Sequence, residues 1–138
     1  WNAIPQLEKH QVFLFFGLND IGVTGVDKFV ENYETLIHKL EATGFAANYY
    51  VLSITSMRYD KQSTTGGLTN EKIKEANGKL EQMCAANGWR FVDVASNLRD
   101  ADYNLLLEYS DGTNVHIIKE GYVFWDNALK AIAEEFLK

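Results

Sequence analysis

Apolar positions along the chain fall into two patterns, continuous runs and three-and-four spacings, and the two alternate. Val12-Phe13-Leu14-Phe15-Phe16 is a run of β-branched and aromatic residues stopped by Gly17, which predicts a strand buried on both faces. Val26, Phe29, Val30, Tyr33, Leu36, Ile37 and Leu40 then recur at helical spacing up to Gly44, a left-handed stop. Thr24-Gly25-Val26-Asp27 sets a hydroxyl three residues before a carboxylate at the start of that helix, a variant of the capping box. A second strand is predicted over 47–54, followed by a polar loop over 55–69, with Gly66-Gly67 near its end. Thr69 is placed to cap the next helix, whose apolar face is Ile73, Ala76, Leu80, Met83 and Cys84, with Gly88 as its stop. Arg90 to Val94 reads as a third, short strand, and Tyr122, Trp125, Leu129, Ile132 and Phe136 share one face of a closing helix over 119–136.

Strands separated by helix-length segments predict a three-layer α/β/α sandwich on a parallel sheet, built as one domain over 1–138. Sheets of this kind have about five strands, and three leave the run Val12 to Phe16 as an apolar edge without a neighbour. The expectation is a domain lacking its first strands, with another chain segment or subunit covering that edge.

Composition narrows the partners. Of 138 residues 46% are hydrophobic, enough for a core, and the net charge of −6 without a basic stripe excludes a nucleic-acid footprint. No apolar run approaches the ~20 residues of a membrane span, so a soluble protein is expected, of unassigned compartment. Cys84, the only cysteine, lies in a helical pattern and reads as a small core residue. No pair of histidines or acids has metal-ligand spacing.

Two polar clusters could carry chemistry. Asn19-Asp20 follows the first strand, at the end of a parallel sheet where catalytic groups collect. The loop after the second strand leaves from the same end, so Met57, Arg58 and Tyr59 are candidates to wall a pocket, against the alternative of a solvated loop. Asp111-Gly112-Thr113-Asn114-Val115-His116, before the last helix, places a carboxylate and an imidazole on one loop. An ionised Asp that accepts from one ring nitrogen fixes the tautomer and leaves the other nitrogen as a general base; a simple turn at Asp111-Gly112 explains the same residues without chemistry.

Gly17-Leu18-Asn19-Asp20, followed far downstream by Asp111-Gly112, His116 and Gly121-Tyr122, resembles the GxND and DGxH blocks of the SGNH (GDSL-type) hydrolases. A helix bearing Asn77, a short strand with Asp93, and Trp125 in the closing helix accord with it, over residues 11–138. The resemblance implies a flavodoxin-like SGNH hydrolase fold, an ester hydrolase that needs no cofactor, and a small-molecule or carbohydrate ester as substrate. It assigns Asn19 to the oxyanion hole, His116 as general base, and Asp111 as the group that orients it. The family's Asp stands three residues before its His, where this chain has Thr113, so Asn114 or a backbone carbonyl competes with Asp111 for that role. The Gly-Asp-Ser block with the nucleophile, and a glycine block for the oxyanion hole, are missing from these residues. Shortage of sheet and shortage of nucleophile share one explanation: the chain is the carboxyl-terminal part of the domain, incomplete at its amino-terminal end. Two alternatives are a catalytically silent domain of this fold that binds a carbohydrate or a protein, and an unrelated flavodoxin-like binding domain in which Asn19 and His116 have no connection.

Overall fold

A computed structural model describes residues 10–44, 47–60, 67–112 and 116–136, with the side chains of Leu18, Asn19 and Phe136 outside the described part. The elements in chain order are β1 (His10–Leu14), α1 (Leu18–Thr24), α2 (Val26–Ala42), β2 (Ala47–Leu52), α3 (Asn70–Asn87), β3 (Arg90–Val92) and α4 (Tyr122–Phe136). Single-turn 3₁₀ segments lie at Ser96–Leu98, Leu107–Tyr109 and Lys119–Gly121. The stretch before the first strand, with the sole proline Pro5, lies outside the described residues, as does Gly66.

The sheet is parallel throughout, in the order β1-β2-β3, with Val12 opposite Tyr49 and Val51 opposite Phe91. Each crossover moves one strand in the same direction, so a right-handed connection puts α2 and α3 on one face. On that face Leu14, Tyr49 and Val51 meet Phe29, Tyr33, Ile37, Ile73 and Leu80 in the main core. The chain after β3 returns on the opposite face as α4, running antiparallel to the strands. Phe15, beyond the end of β1, meets Trp125 edge to face at 4.8 Å, and Arg90 at the start of β3 pairs with Glu135 at 2.7 Å. Alpha/beta layering and the parallel sheet are as the alternating pattern predicts.

Three expectations need correction. The first strand is not buried on both faces: β1 is an edge strand in which only Leu14 is buried, and Phe13, Phe15 and Phe16 remain 38%, 42% and 43% exposed. Among the described residues β1 has a strand neighbour, β2, on one side only, so its apolar residues are covered in part. The strand also ends at Leu14, so Phe15 and Phe16 lie in the turn. The capping box does not form, because a separate helix, α1, already occupies Leu18–Thr24 and Thr24 Oγ1 donates back to its own helix at Asp20 O (2.9 Å). Gly25, at φ 83°, joins α1 to α2 and caps α2 without a side-chain bond.

Finally, the segment after β2 is not a solvated loop at its start. Ser53, Ile54, Thr55, Ser56 and Met57 are all buried, Met57 in the main core, and only Arg58 to Asp60 turn outward among the described part of that connection. Two caps hold as expected: Thr69 Oγ1 accepts from Lys72 N, and left-handed Gly88 ends α3.

Candidate active site

One polar cluster follows the carboxyl end of β1, and the other lies before α4, whose Trp125 meets Phe15 just beyond that strand. Gly17 turns the chain at φ 153°, its carbonyl accepts from Ile21 N, and Asn19 is the second residue of the short helix that follows. A side chain at position 17 would meet Ile54 Cδ1 at 2.7 Å on a backbone of positive φ, so this turn favours glycine on both grounds. Ile21, at 1% exposure, nails the helix to the core.

His116 is held by a different route. Leu98, Leu105 and Ile117 form a second, smaller core flanked by Tyr109, Phe124 and Trp125. Ser110 and Ile117 pair as an antiparallel bridge, extended on one side by Ile118 N donating to Tyr109 O (2.8 Å) and on the other by Asp111 N donating to His116 O (3.2 Å). Ile117 is therefore buried and its neighbour His116 stands exposed. Gly121 keeps the following turn tight against this seat, since a Cβ there would lie 3.2 Å from Leu98 Cδ2 and 3.4 Å from Ile117 Cδ1.

The structure thus holds Asp111 and His116 side by side along the main chain, both exposed, with Gly112 at φ 100° carrying the chain round. Asn114, the competing group for orienting the ring, lies outside the described residues. Asn19 is placed by its backbone at the β1 end. The Phe15–Trp125 contact ties that end to the first turn of α4, shortly after His116. Of the residues considered as pocket walls, Met57 belongs to the main core, Arg58 pairs with Asp60 and Tyr59 is exposed. A cavity of about 180 Å³ lies instead beside Phe16, Asp20, Phe29, Tyr33 and Leu36, on the flank of α2 next to the open edge.

Asp93 and Asn77, named from the sequence only as features of the resemblance, prove to be centres of hydrogen-bond networks whose partners the sequence did not show. Asp93 Oδ1 accepts from Ser53 Oγ (2.9 Å) and from the backbone of Ala95 and Ser96, while its Oδ2 accepts from Arg99 Nη2 (3.1 Å). The Arg99 guanidinium covers the Tyr103 ring at 4.2 Å. Asn70 and Asn77, both buried on α3, grip the chain after β2. Polar residues at apolar helix positions were the available signal, since a buried amide implies a main-chain partner. Among the described residues no group of three His, Cys, Asp or Glu is placed to hold a metal ion. None of the described helices is long and apolar enough to cross a membrane.

A three-layer fold with a GxND turn and a DG-His loop defines a class, and family comparison agrees: the chain belongs to the GDSL-like lipase/acylhydrolase family, whose model matches residues 1–124. No curated protein sequence matches it. Among solved structures it is similar to a Streptococcus pneumonia protein described as a platelet activating factor (26% identity, TM-score 0.76, covering 89% of this chain and 59% of that one). A GDSL-like lipase from Bacteroides thetaiotaomicron is similar at 20% identity and TM-score 0.70, covering 91% and 62%. An acetylxylan esterase from Geobacillus stearothermophilus shares the fold at 13% identity and TM-score 0.62, covering 86% and 57%. The chain therefore spans about 60% of the length of the structures it matches.

Proposed function

We propose that the complete protein is a carboxylic-ester hydrolase working through a serine acyl-enzyme, and that these residues supply its general base and one oxyanion donor. What supports the reading is the family match, together with the Phe15–Trp125 contact that joins the strand end leading into the GxND turn to the helix following His116. In this reading the serine lies on a part of the domain outside these residues. His116 takes the serine proton as the hydroxyl attacks the ester carbonyl, then gives it to the departing alkoxide. The Asn19 amide donates to the oxygen on which negative charge develops, a fixed dipole that needs no reorganisation during the step. Asp111, beside His116 along the main chain, orients the ring. Water, activated by the same imidazole, then cleaves the acyl-enzyme.

A small-molecule or carbohydrate ester is the substrate class; acetylated sugars are favoured by the fold shared with the acetylxylan esterase. Further sheet, from the remainder of the domain or from a second subunit, covers β1 at Phe13 to Phe16. The second reading, a silent domain that binds a carbohydrate or a protein, requires that the serine be lost.

Hydrolysis of a chromogenic acetate ester by the complete protein separates the two. The account expects turnover, with His116→Ala lowering kcat by at least about 100-fold and Asn19→Ala by a comparable factor, about 10²–10³. An unchanged rate in His116→Ala contradicts the hydrolase mechanism, and absence of any turnover in the wild type favours the silent domain.

A further inference from the structure

Asn77 sits in the interior of α3, 6% exposed, where an amide is a poor helix former and must find partners or be costly. Its carboxamide makes three bonds, and they lead in two directions. Oδ1 accepts from Ile54 N (2.8 Å) and Nδ2 donates to Ile54 O (3.1 Å), so both main-chain polar groups of Ile54 are held by this one side chain. The second Nδ2 proton goes to Tyr103 Oη (2.8 Å).

The Ile54 branch ends at the oxyanion turn. Ile54 is fully buried, and its Cδ1 occupies the space where a Cβ on Gly17 would stand, two residues before Asn19. The Tyr103 branch ends at the Tyr103 hydroxyl, and from there the path toward the histidine runs along the chain, with Asn70 and Met57 holding the next two residues. Tyr103 holds a left-handed backbone (φ 67°), a conformation that costs energy for a non-glycine residue and persists only where its surroundings enforce it. Those surroundings are the Asp100 turn, whose carbonyl accepts from Tyr103 N and whose carboxylate accepts from Asp102 N and Asn104 N, together with the Asn77 bond and the Arg99 guanidinium. Next along the chain, Asn104 Oδ1 accepts from Asn70 Nδ2 (2.8 Å) and Leu105 N donates to Met57 O (3.0 Å), which sets Leu105 into the small core that seats Ile117, the neighbour of His116.

We infer that Asn77 is a positioning residue shared by the two halves of the site: one buried carboxamide sets both the turn bearing Asn19 and the segment bearing His116. The inference rests on the hydrolase reading for its catalytic consequence, though its structural content does not. Coupling both groups to one rigid helix keeps their separation constant, which matters because a displacement of about 1 Å between reacting groups costs up to about 100-fold in rate.

Three variants of the complete protein dissect the two branches. Ile54→Val removes the atom against Gly17 and leaves the Asn77 bonds. Tyr103→Phe removes the hydroxyl and leaves the ring under Arg99. Asn77→Asp keeps an acceptor for Ile54 N and loses both donors. In ¹⁵N–¹H spectra, Ile54→Val is expected to shift the amides of Gly17 to Asp20 alone, Tyr103→Phe those of His116 to Ile118 alone, and Asn77→Asp both sets. In hydrolysis of the acetate ester, kcat falls several-fold in each single-branch variant and about 100-fold in Asn77→Asp, with KM within about twofold throughout. Should Asn77→Asp not fold, the two single-branch variants still decide. The inference is overturned if either branch variant leaves its own set of amides in place, or if KM rises while kcat holds. A wild type without ester turnover removes the hydrolase reading and leaves the amide shifts to judge the anchor by themselves.

Discussion

The two flanks of the sheet differ in how completely they are closed. Toward α3 and β3, Asn70 and Asn77 are bonded at each polar atom of their amides, Ser53 Oγ donates to Asp93, and Ile73, Leu80 and Ile54 are fully buried, while Ser56 Oγ and Arg99 Nη1 are buried without a hydrogen-bond partner. Toward β1, three phenylalanines stand about 40% exposed, a cavity opens beside Phe16 and Leu36, and Tyr33 Oη and Tyr49 Oη are buried without a hydrogen-bond partner. An apolar edge of that kind invites pairing with further strand, and water is a poor neighbour for it. On the hydrolase reading proposed above, the closed flank is the one that would hold the base and the amide in register, and the open edge is where further sheet would pack.

The largest effect that would sharpen the contrast comes from one truncation on each flank of the complete protein. Leu80→Ala, on the closed flank, is expected to lower the free energy of unfolding by about 2–5 kcal/mol, read from urea denaturation. Phe16→Ala should cost about 3–5 kcal/mol once the edge is covered; a loss under about 1 kcal/mol would show that the edge stays bare.

Gly17→Ala tests the seam between the flanks. The new methyl meets Ile54 Cδ1, and overpacking a filled core costs about 1–3 kcal/mol, so ester turnover should fall together with stability. A stable and fully active Gly17→Ala protein would mean that this turn does not set the amide. Gly25→Ala, in open space at φ 83°, should lose stability by about 1–2 kcal/mol from its left-handed backbone alone and keep its activity.

The smallest effect concerns pH. Burial, with Glu81 adding to it, pushes the Cys84 thiol up to about 12. The folded pKa exceeds the unfolded value near 9. Stability from keeping the thiol neutral is thus complete below pH 9 and is lost as pH rises toward 12. Cys84→Ala should flatten the alkaline limb of the stability profile. A profile with the same slope in the variant would place the alkaline sensitivity elsewhere, with the buried Tyr33 hydroxyl, also raised by burial, as the next group to test.

Much of this arrangement is legible in the residue order, because helices and strands with one buried face announce their period. The face of α2 (Phe29, Tyr33, Ile37), that of α3 (Ile73, Leu80, Cys84), the Thr69 cap and the Gly88 stop all emerge from spacing. The burial of β1 is misjudged for a physical reason: apolar content reports what a strand is suited to bury, and the neighbour that would bury it is a separate matter. Helix α1 is seven residues long, too short for a period to register, and it rests on Ile21 and on the glycine turn before it. Roles for Asn19, Asp111 and His116 come from the ordered blocks and not from periodicity, since an exposed imidazole and a turn look alike in any hydropathy pattern. The anchor at Asn77 depends on partners 23 and 26 residues away, which no local pattern contains.

A crystal structure of the complete protein after reaction with an aryl phosphonate tests the account at its centre. Phosphonylation of a serine outside these residues, with the Asn19 amide and a nitrogen of His116 each within about 3.2 Å of an oxygen at the tetrahedral phosphorus, is the result expected. An adduct that forms with either side chain turned to another face of the molecule, or separated from the phosphorus by packed core, would contradict it.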